Sequence, residues 1–307
     1  MVDATHISFP ANDRSYFSLL KKEIHKKAAE AGIGQERLNA IDIIVAEMTS
    51  NLFKYATGGE ILLGVFKFPD YAYVELICID NGPGILNPQR MLKDGVSTSN
   101  TLGHGLGSIK RMSDSFEIFS QIGWGTIVLS RVYSASKPNS KLKDALVHPL
   151  VVAKPGETTS GDGFTYKLGN NYIKVMLADG LGHGPEANHA VNEAAKAFRI
   201  FPEYSPIETL RFIHHYIKKT RGAVINVLAY DYTKNHWSIA GIGNISARLC
   251  GLSGIKNHMS YNGIVGHNIP TTMHSQEYSR QQFNQVILCS DGIKSKWDMA
   301  RYGQLQK

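Results

Sequence analysis

The stretch from residue 80 to residue 111 limits the possible folds of this chain more than any other. It opens with Asp80-Asn81-Gly82-Pro83-Gly84 and closes with Thr101-Leu102-Gly103-His104-Gly105-Leu106-Gly107-Ser108-Ile109-Lys110-Arg111. Residues 71–79 have the two-residue apolar period of a half-buried strand, which places Asp80 at a strand end. Pro83 fixes one backbone angle while Gly82 and Gly84 keep theirs open, so the chain can turn sharply and present bare backbone. Gly103, Gly105 and Gly107 lead into a helix expected over 106–112, whose unpaired N–H groups and positive dipole end suit a phosphate chain. A carboxylate at one turn and a phosphate cradle at the other describe the two ends of a nucleotide.

A third element lies upstream, Glu47-Met48-Thr49-Ser50-Asn51. The spacing of Leu38, Ile41, Val45, Met48 and Leu52 predicts a helix over 35–56, with Glu47 and Asn51 four residues apart on one face and off the apolar stripe. An earlier helix is expected over 13–31 from Phe17, Leu20, Ile24 and Ala28, ended by Gly32 and Gly34. Strands are expected over 60–68, 71–79, 116–121 and 125–133, with Gly123-Trp124-Gly125 as the last turn. Helices on one face of a mixed sheet give a two-layer α/β sandwich.

Taken together the three boxes resemble the ATPase fold shared by gyrase, the ninety-kilodalton chaperone and histidine kinases. The closest resemblance is to the anti-sigma-factor-type serine kinases of bacterial partner switches, over about residues 10–133. It implies ATP and Mg²⁺ as ligands. Asn51 would hold the Mg²⁺, and Glu47 would orient or deprotonate the attacking hydroxyl. Asp80 would accept from the adenine amine, Gly82 and Gly84 would admit the base, and the Thr126 hydroxyl would support that end. Gly103, Gly105 and Gly107 would wrap the phosphates, with added charge from Lys110 or Arg111. Lys54 and His104 read as solvated side chains.

Residues 134–145 are polar, contain Pro138 and lack periodicity, and read as a linker. A length of 307 residues suits about two domains. The expected division is 1–133, linker 134–145 and 146–307. Beyond the linker, strands are expected over 146–153, 162–168, 172–178, 224–231, 236–241, 247–250 and 286–289. Helices are expected over 186–199 and 207–220, giving an α+β layered fold. Asn170-Asn171 reads as a two-residue hairpin turn. Counting back from it sets Asp162 directly opposite Asp179, about 5 Å away, where two carboxylates repel unless a proton or cation lies between them. Asp291, at the end of the strand through Ser290, is expected to bring a third carboxylate there. Oxygen ligands select Mg²⁺ or Mn²⁺ over zinc.

Ser160-Gly161-Asp162-Gly163, Asp179-Gly180-Leu181-Gly182-His183-Gly184 and Ser290-Asp291-Gly292 then resemble the SpoIIE branch of the metal-dependent serine/threonine protein phosphatases, over about residues 147–298. The resemblance implies a phosphatase-type layered α/β sandwich, with Asp162, Asp179, Asp291 and the Gly180 carbonyl as ligands of Mn²⁺ or Mg²⁺ and Asp179 central to catalysis. His183 reads equally as a general acid or as a loop residue. His214 and His215 read as surface or packing residues. The family closes with a strand bearing one more acidic ligand; none follows here, and Asp298 is a poor substitute, so the second half is expected to lack its last strand.

A net charge of +7 without an aromatic-interleaved basic patch argues against nucleic acid, and no apolar run is long enough for a membrane span. The start of the chain has no export signal, and three cysteines, Cys78, Cys250 and Cys289, all in apolar runs, suit a reducing cytoplasm. The expected function is a two-headed partner-switch regulator, kinase and phosphatase, acting on STAS-type antagonist proteins. Two alternatives stay open: a phosphatase gated by a non-catalytic ATP-sensing or partner-binding domain, and a pseudo-enzyme that binds phosphorylated partners.

Overall fold

A computed structural model describes residues 6–11, 13–67, 71–92, 105–135, 145–252 and 254–293. The chain divides into two compact units, His6–Lys141 and one containing Leu142–Lys307. Most of the expected linker, residues 136–144, lies outside the described residues.

The first unit is built from strands β1 (Ile7–Pro10), β2 (Gly59–Lys67), β3 (Ala72–Asp80), β4 (Ser115–Gln121) and β5 (Gly125–Tyr133). Its helices are α1 (Phe17–Glu30), α2 (Gln35–Tyr55), the single turn α3 (Pro88–Met91) and α4 (Gly105–Met112). The sheet order is β1-β2-β3-β5-β4, and every pairing is antiparallel rather than mixed. β3 and β4 both run antiparallel to β5 and hence parallel to each other, so the connection between them, which carries α3 and α4, is a crossover. One face is apolar by alternation: Ile61, Leu63, Val74, Leu76, Cys78, Val128 and Val132 form one core with Leu20, Ile24, Leu38, Ile41, Val45, Met48, Leu52 and Ile109 of the helices. Burial of that stripe, rather than intrinsic propensity, holds the helices on the sheet. On β3, Glu75 is buried at 2% exposure, and His6 and Arg131 hold its carboxyl below the usual range against the opposing effect of burial.

The second unit contains β6 (Asp162–Leu168), β7 (Tyr172–Gly180), α5 (Gly184–Ile200), α6 (Pro206–Tyr216), β8 (Ala223–Asp231), β9 (His236–Ile242), β10 (Ser246–Gly251), β11 (Gly254–His258), β12 (Gln276–Ser279) and β13 (Gln285–Cys289). A five-stranded sheet runs β12-β9-β8-β7-β6 and a three-stranded sheet runs β11-β10-β13. Met176, Ala178, Ile225, Val227, Ala240 and Ile242 pack against α5 and α6. Their neighbours in sequence, Val175, Leu228 and Ile239, pack with Leu249, Val286 and Leu288 of the smaller sheet. Helices, large sheet and small sheet are thus three layers, and the two-residue period sorts side chains between the two interfaces. Residues 146–153 do not form the expected strand; only Val152 makes a bridge. Pro149 lacks an N–H and limits the segment to irregular extended chain.

Candidate functional site

In the first unit Asp80 ends β3, as its position after an alternating run requires. Its Oδ1 accepts two backbone N–H groups, from Gly82 at 2.8 Å and Thr126 at 3.0 Å. That pair of bonds fixes the plane of the carboxylate, and Oδ2 has no donor among the described residues. Thr126 is buried, and its Oγ1 lies 2.9 Å from the hydroxyl of Ser120, which also accepts the Ile85 N–H at 2.7 Å. Ser120 therefore joins this end of the site, a role with no signal in its sequence neighbourhood.

Gly82 and Gly84 are demanded by the protein itself. A Cβ on Gly82 would lie 2.8 Å from the Tyr55 carbonyl, and one on Gly84 (φ +78°) would lie 2.1 Å from that of Gln121. The loop after β3 is pressed against the end of α2 and the β4–β5 turn, where Gly123 N–H donates to the Pro83 carbonyl at 2.8 Å.

Glu47 and Asn51 lie one turn apart on α2, both half-buried. A Cβ on Gly105 would stand 3.1 Å from Glu47 Oε2 and 3.4 Å from Asn51 Oδ1, so the first residue of α4 sits on this acid–amide pair. The N–H groups of the first turn of α4 have no partner within the helix and lie beside the Glu47 and Asn51 oxygens, an arrangement suited to phosphate bridged to a hard cation. Eight residues of α2 separate Glu47 from Tyr55, roughly 12 Å at 1.5 Å per residue; the acid–amide pair and the Asp80 loop are the two ends of one elongated site.

Gly107 is buried inside α4, and Gly103 and His104 lie outside the described residues. Lys110 and Arg111 occupy the last turn of α4, at the negative rather than the positive end of its dipole. Lys110 lines a cavity of about 310 Å³ with Gln89, Leu92, Phe116, Glu117 and Ile118, and Arg111 donates to Ser108. Added phosphate charge from these two residues does not fit that placement. Lys54 is exposed.

In the second unit Gly169 N–H donates to the Tyr172 carbonyl, closing the expected hairpin, and the register pairs Asp162 with Asp179. Burial, then the charges of Asp162 and Asp291, push the Asp179 carboxyl up to about 7; burial likewise raises Asp162. Ser290 Oγ donates to Asp162 Oδ2 at 2.8 Å, and Ser160 Oγ accepts the Asp162 N–H at 3.0 Å. Two acids that resist joint ionisation while two hydroxyls hold one of them fit a divalent cation.

Asp291 itself is exposed beyond the end of β13, and among the described residues no three Asp, Glu, His or Cys side chains group closely enough to hold a metal. The preceding residue, Ser290, rather than Asp291, reaches the pair. Asp298 lies outside the described residues. Gly180 must be glycine for packing, since a Cβ there would meet the Ala187 carbonyl at 2.4 Å.

His183 caps α5, and its Nδ1 lies 2.7 Å from Glu157 Oε1 with the imidazole 62% exposed. Sequence reasoning missed Glu157, because it sits in irregular chain. His214 accepts the Gly266 N–H at 3.0 Å and His215 is exposed, a packing and a surface residue respectively. All three cysteines are buried free thiols. No described helix is long and apolar enough to cross a membrane.

Comparison with known proteins places residues 9–130 in a match to the histidine kinase-like ATPase domain. The serine/threonine-protein kinase RsbT of Bacillus subtilis (strain 168) is 36% identical over 101 residues, 32% of this chain and 74% of that kinase. Among solved structures, a chain reported under "The bacterial stressosome: a modular system that has been adapted to control secondary messenger signaling" is 28% identical, covering 48% of this chain and 78% of that one at a TM-score of 0.45. RsbX in complex with magnesium is 19% identical, covering 49% and 75% at 0.44. The RsbU and RsbW domains of Rv1364c from Mycobacterium tuberculosis are 20% identical, covering 42% and 38% at 0.37.

Proposed function

Because the chain belongs, through residues 9–130, to the histidine kinase-like ATPase family, we infer that its first domain binds ATP and passes the γ-phosphoryl group to a serine or threonine of a partner-switch protein of the STAS type. The observation that carries this reading is the acid–amide pair Glu47 and Asn51 seated on Gly105 at the start of α4. Asp80, with Oδ1 held by two N–H groups, presents Oδ2 to the adenine amine. N–H groups of the first turn of α4 take the phosphate oxygens. The acceptor hydroxyl oxygen attacks the γ-phosphorus, the bond to the β–γ bridging oxygen breaks, ADP leaves, and Glu47 takes the hydroxyl proton. Mg²⁺, held through Asn51 Oδ1, would neutralise phosphate charge. Incubating the protein with labelled ATP and STAS proteins tests this: transfer should require Mg²⁺ and be lost in Glu47→Gln while ATP still binds. Binding without transfer in the native chain would leave a nucleotide-sensing gate instead.

The second domain is read as a protein phosphatase for phosphoserine or phosphothreonine, on the chemistry of its residues rather than on likeness. Asp162 and Asp179, with the Gly180 carbonyl, would hold Mn²⁺ or Mg²⁺, which would supply charge to activate water and neutralise the phosphate. Glu157, bonded to His183 Nδ1, leaves Nε2 to give a proton to the departing serine oxygen. Manganese-dependent release of phosphate from a phosphoserine peptide, abolished by Asp179→Asn, is the expected result; turnover surviving that change would sink the assignment. On this reading the kinase domain would span 1–133 and the phosphatase domain 146–307, with 134–145 as linker.

A further inference from the structure

Arg221 is not needed for any step above, yet the fold goes to some length to present it. The β7–β8 ladder pairs Asp179 with Val224 and Gly180 with Ala223, and one more bond, Leu181 N–H to the Gly222 carbonyl at 3.2 Å, carries it past the strand ends. Arg221 therefore stands opposite Gly182, in the loop that bears Asp179 and His183. Its backbone is pinned: His267 Nε2 donates to the Arg221 carbonyl at 2.8 Å, and Gly222 N–H donates to Thr220 Oγ1 at 3.1 Å.

The guanidinium lies on Gly182, where a Cβ would stand 3.0 Å from Nη1, and the positive φ of +87° at this position is what calls for glycine. Among the described residues its acidic neighbour is Glu186, 3.8 Å from Nε, with the two side chains 51% and 70% exposed. A contact so long and wet leaves most of the five N–H donors to water.

The strand ends at Gly180 and the chain bends at residues 181–183, so Gly182 lies at most roughly 10 Å from Asp179. A phosphoserine held at Asp162 and Asp179 therefore has its own residues, up to about three positions away, within reach of this guanidinium. Resting on the phosphatase reading above, we propose that Arg221 is a specificity residue that binds a carboxylate of the phosphoprotein about three residues from its phosphoserine. A planar guanidinium fits a carboxylate through paired N–H bonds, which a lysine cannot reproduce.

The test uses the full chain with Mn²⁺ and three substrates: a phosphoserine peptide with Asp three residues to either side, its Asn counterpart, and p-nitrophenyl phosphate. Arg221→Ala should raise KM about fivefold for the Asp peptide, the size of one exposed charge-assisted bond. It should leave kcat, the Asn peptide and the aryl phosphate unchanged, and Arg221→Lys should recover only part of the loss. Equal KM changes on both peptides, or none on either, would overturn the proposal, and a matching rise on the aryl phosphate would assign Arg221 to the phosphoryl group instead. Peptide affinity by fluorescence anisotropy on an Asp179→Asn background gives the same comparison without turnover. A chain with no phosphatase activity that still prefers the Asp peptide through Arg221 would refute the enzyme reading while upholding this one.

Discussion

Replacing Asp179 by Asn should make the metal-free protein more stable while destroying the proposed phosphatase activity. In the folded state burial and the facing Asp162 raise the Asp179 carboxyl from 3.8 to about 7. The folded form therefore binds more protons than the unfolded form between about pH 4 and 7, and stability falls as pH rises through that window, the loss being complete above about 7. A rise of about three pH units is worth at most ~4 kcal/mol at 1.36 kcal/mol per unit. Both aspartates are half-buried and partly screened by solvent, so about 2 kcal/mol is the realistic size. For a domain of this size that amounts to about 4–8 °C in melting temperature. Thermal unfolding of EDTA-treated protein at pH 8 should show the variant melting higher, with the gap closing as pH falls toward 4. Mn²⁺ should stabilise the native protein and leave the variant nearly unmoved. A variant that melts lower than the native chain at pH 8 without metal, or a gap independent of pH, would show that the two carboxylates do not oppose each other as described.

Gly105→Ala adds a methyl 3.1 Å from Glu47 Oε2 at a helical position where Ala is favoured. Stability should hold or rise slightly while phosphoryl transfer falls at least tenfold, read by melting curves and labelled ATP. Asp80→Asn keeps an acceptor for the Gly82 and Thr126 N–H groups, so it should cost ATP affinity in calorimetry but little stability; Asp80→Ala leaves both N–H groups unpaired and should cost about 1–3 kcal/mol as well. Lys174 is wholly buried, bonded to the Glu203 carbonyl and Thr209 Oγ1, and burial followed by the nearby Lys167 charge lowers it to about 8. The unfolded chain then holds more protons above pH 8, so native stability should rise from pH 8 to 9.5, a slope that Lys174→Met removes in urea titrations.

Local pattern was sufficient where one residue type serves one physical need. The stripe Leu38, Ile41, Val45, Met48 and Leu52 is the buried face of α2, and the Asn170-Asn171 turn alone set Asp162 opposite Asp179. It failed where a partner is distant in sequence. Residues 146–153 have strand-like apolar content but join no strand among the described residues, and β1, β11 and β12 are too short to carry a period of their own. Lys110 and Arg111 follow the glycines in sequence, yet one helix of eight residues carries them to the end away from the phosphate cradle.

Side-chain spacing and turn chemistry act over a few residues, so the chain by itself determined its helices, its main strands, the paired aspartates and the three boxes of the ATPase domain. Contacts between residues far apart needed the folded molecule. Tertiary packing set Gly105 on Glu47 and Asn51, bonded Thr126 to Asp80, brought Ser290 rather than Asp291 to Asp162, and placed Glu157 on His183 and Arg221 on Gly182. These are decided by how layers close on one another, which depends on the whole buried surface and is written in no single stretch of the sequence.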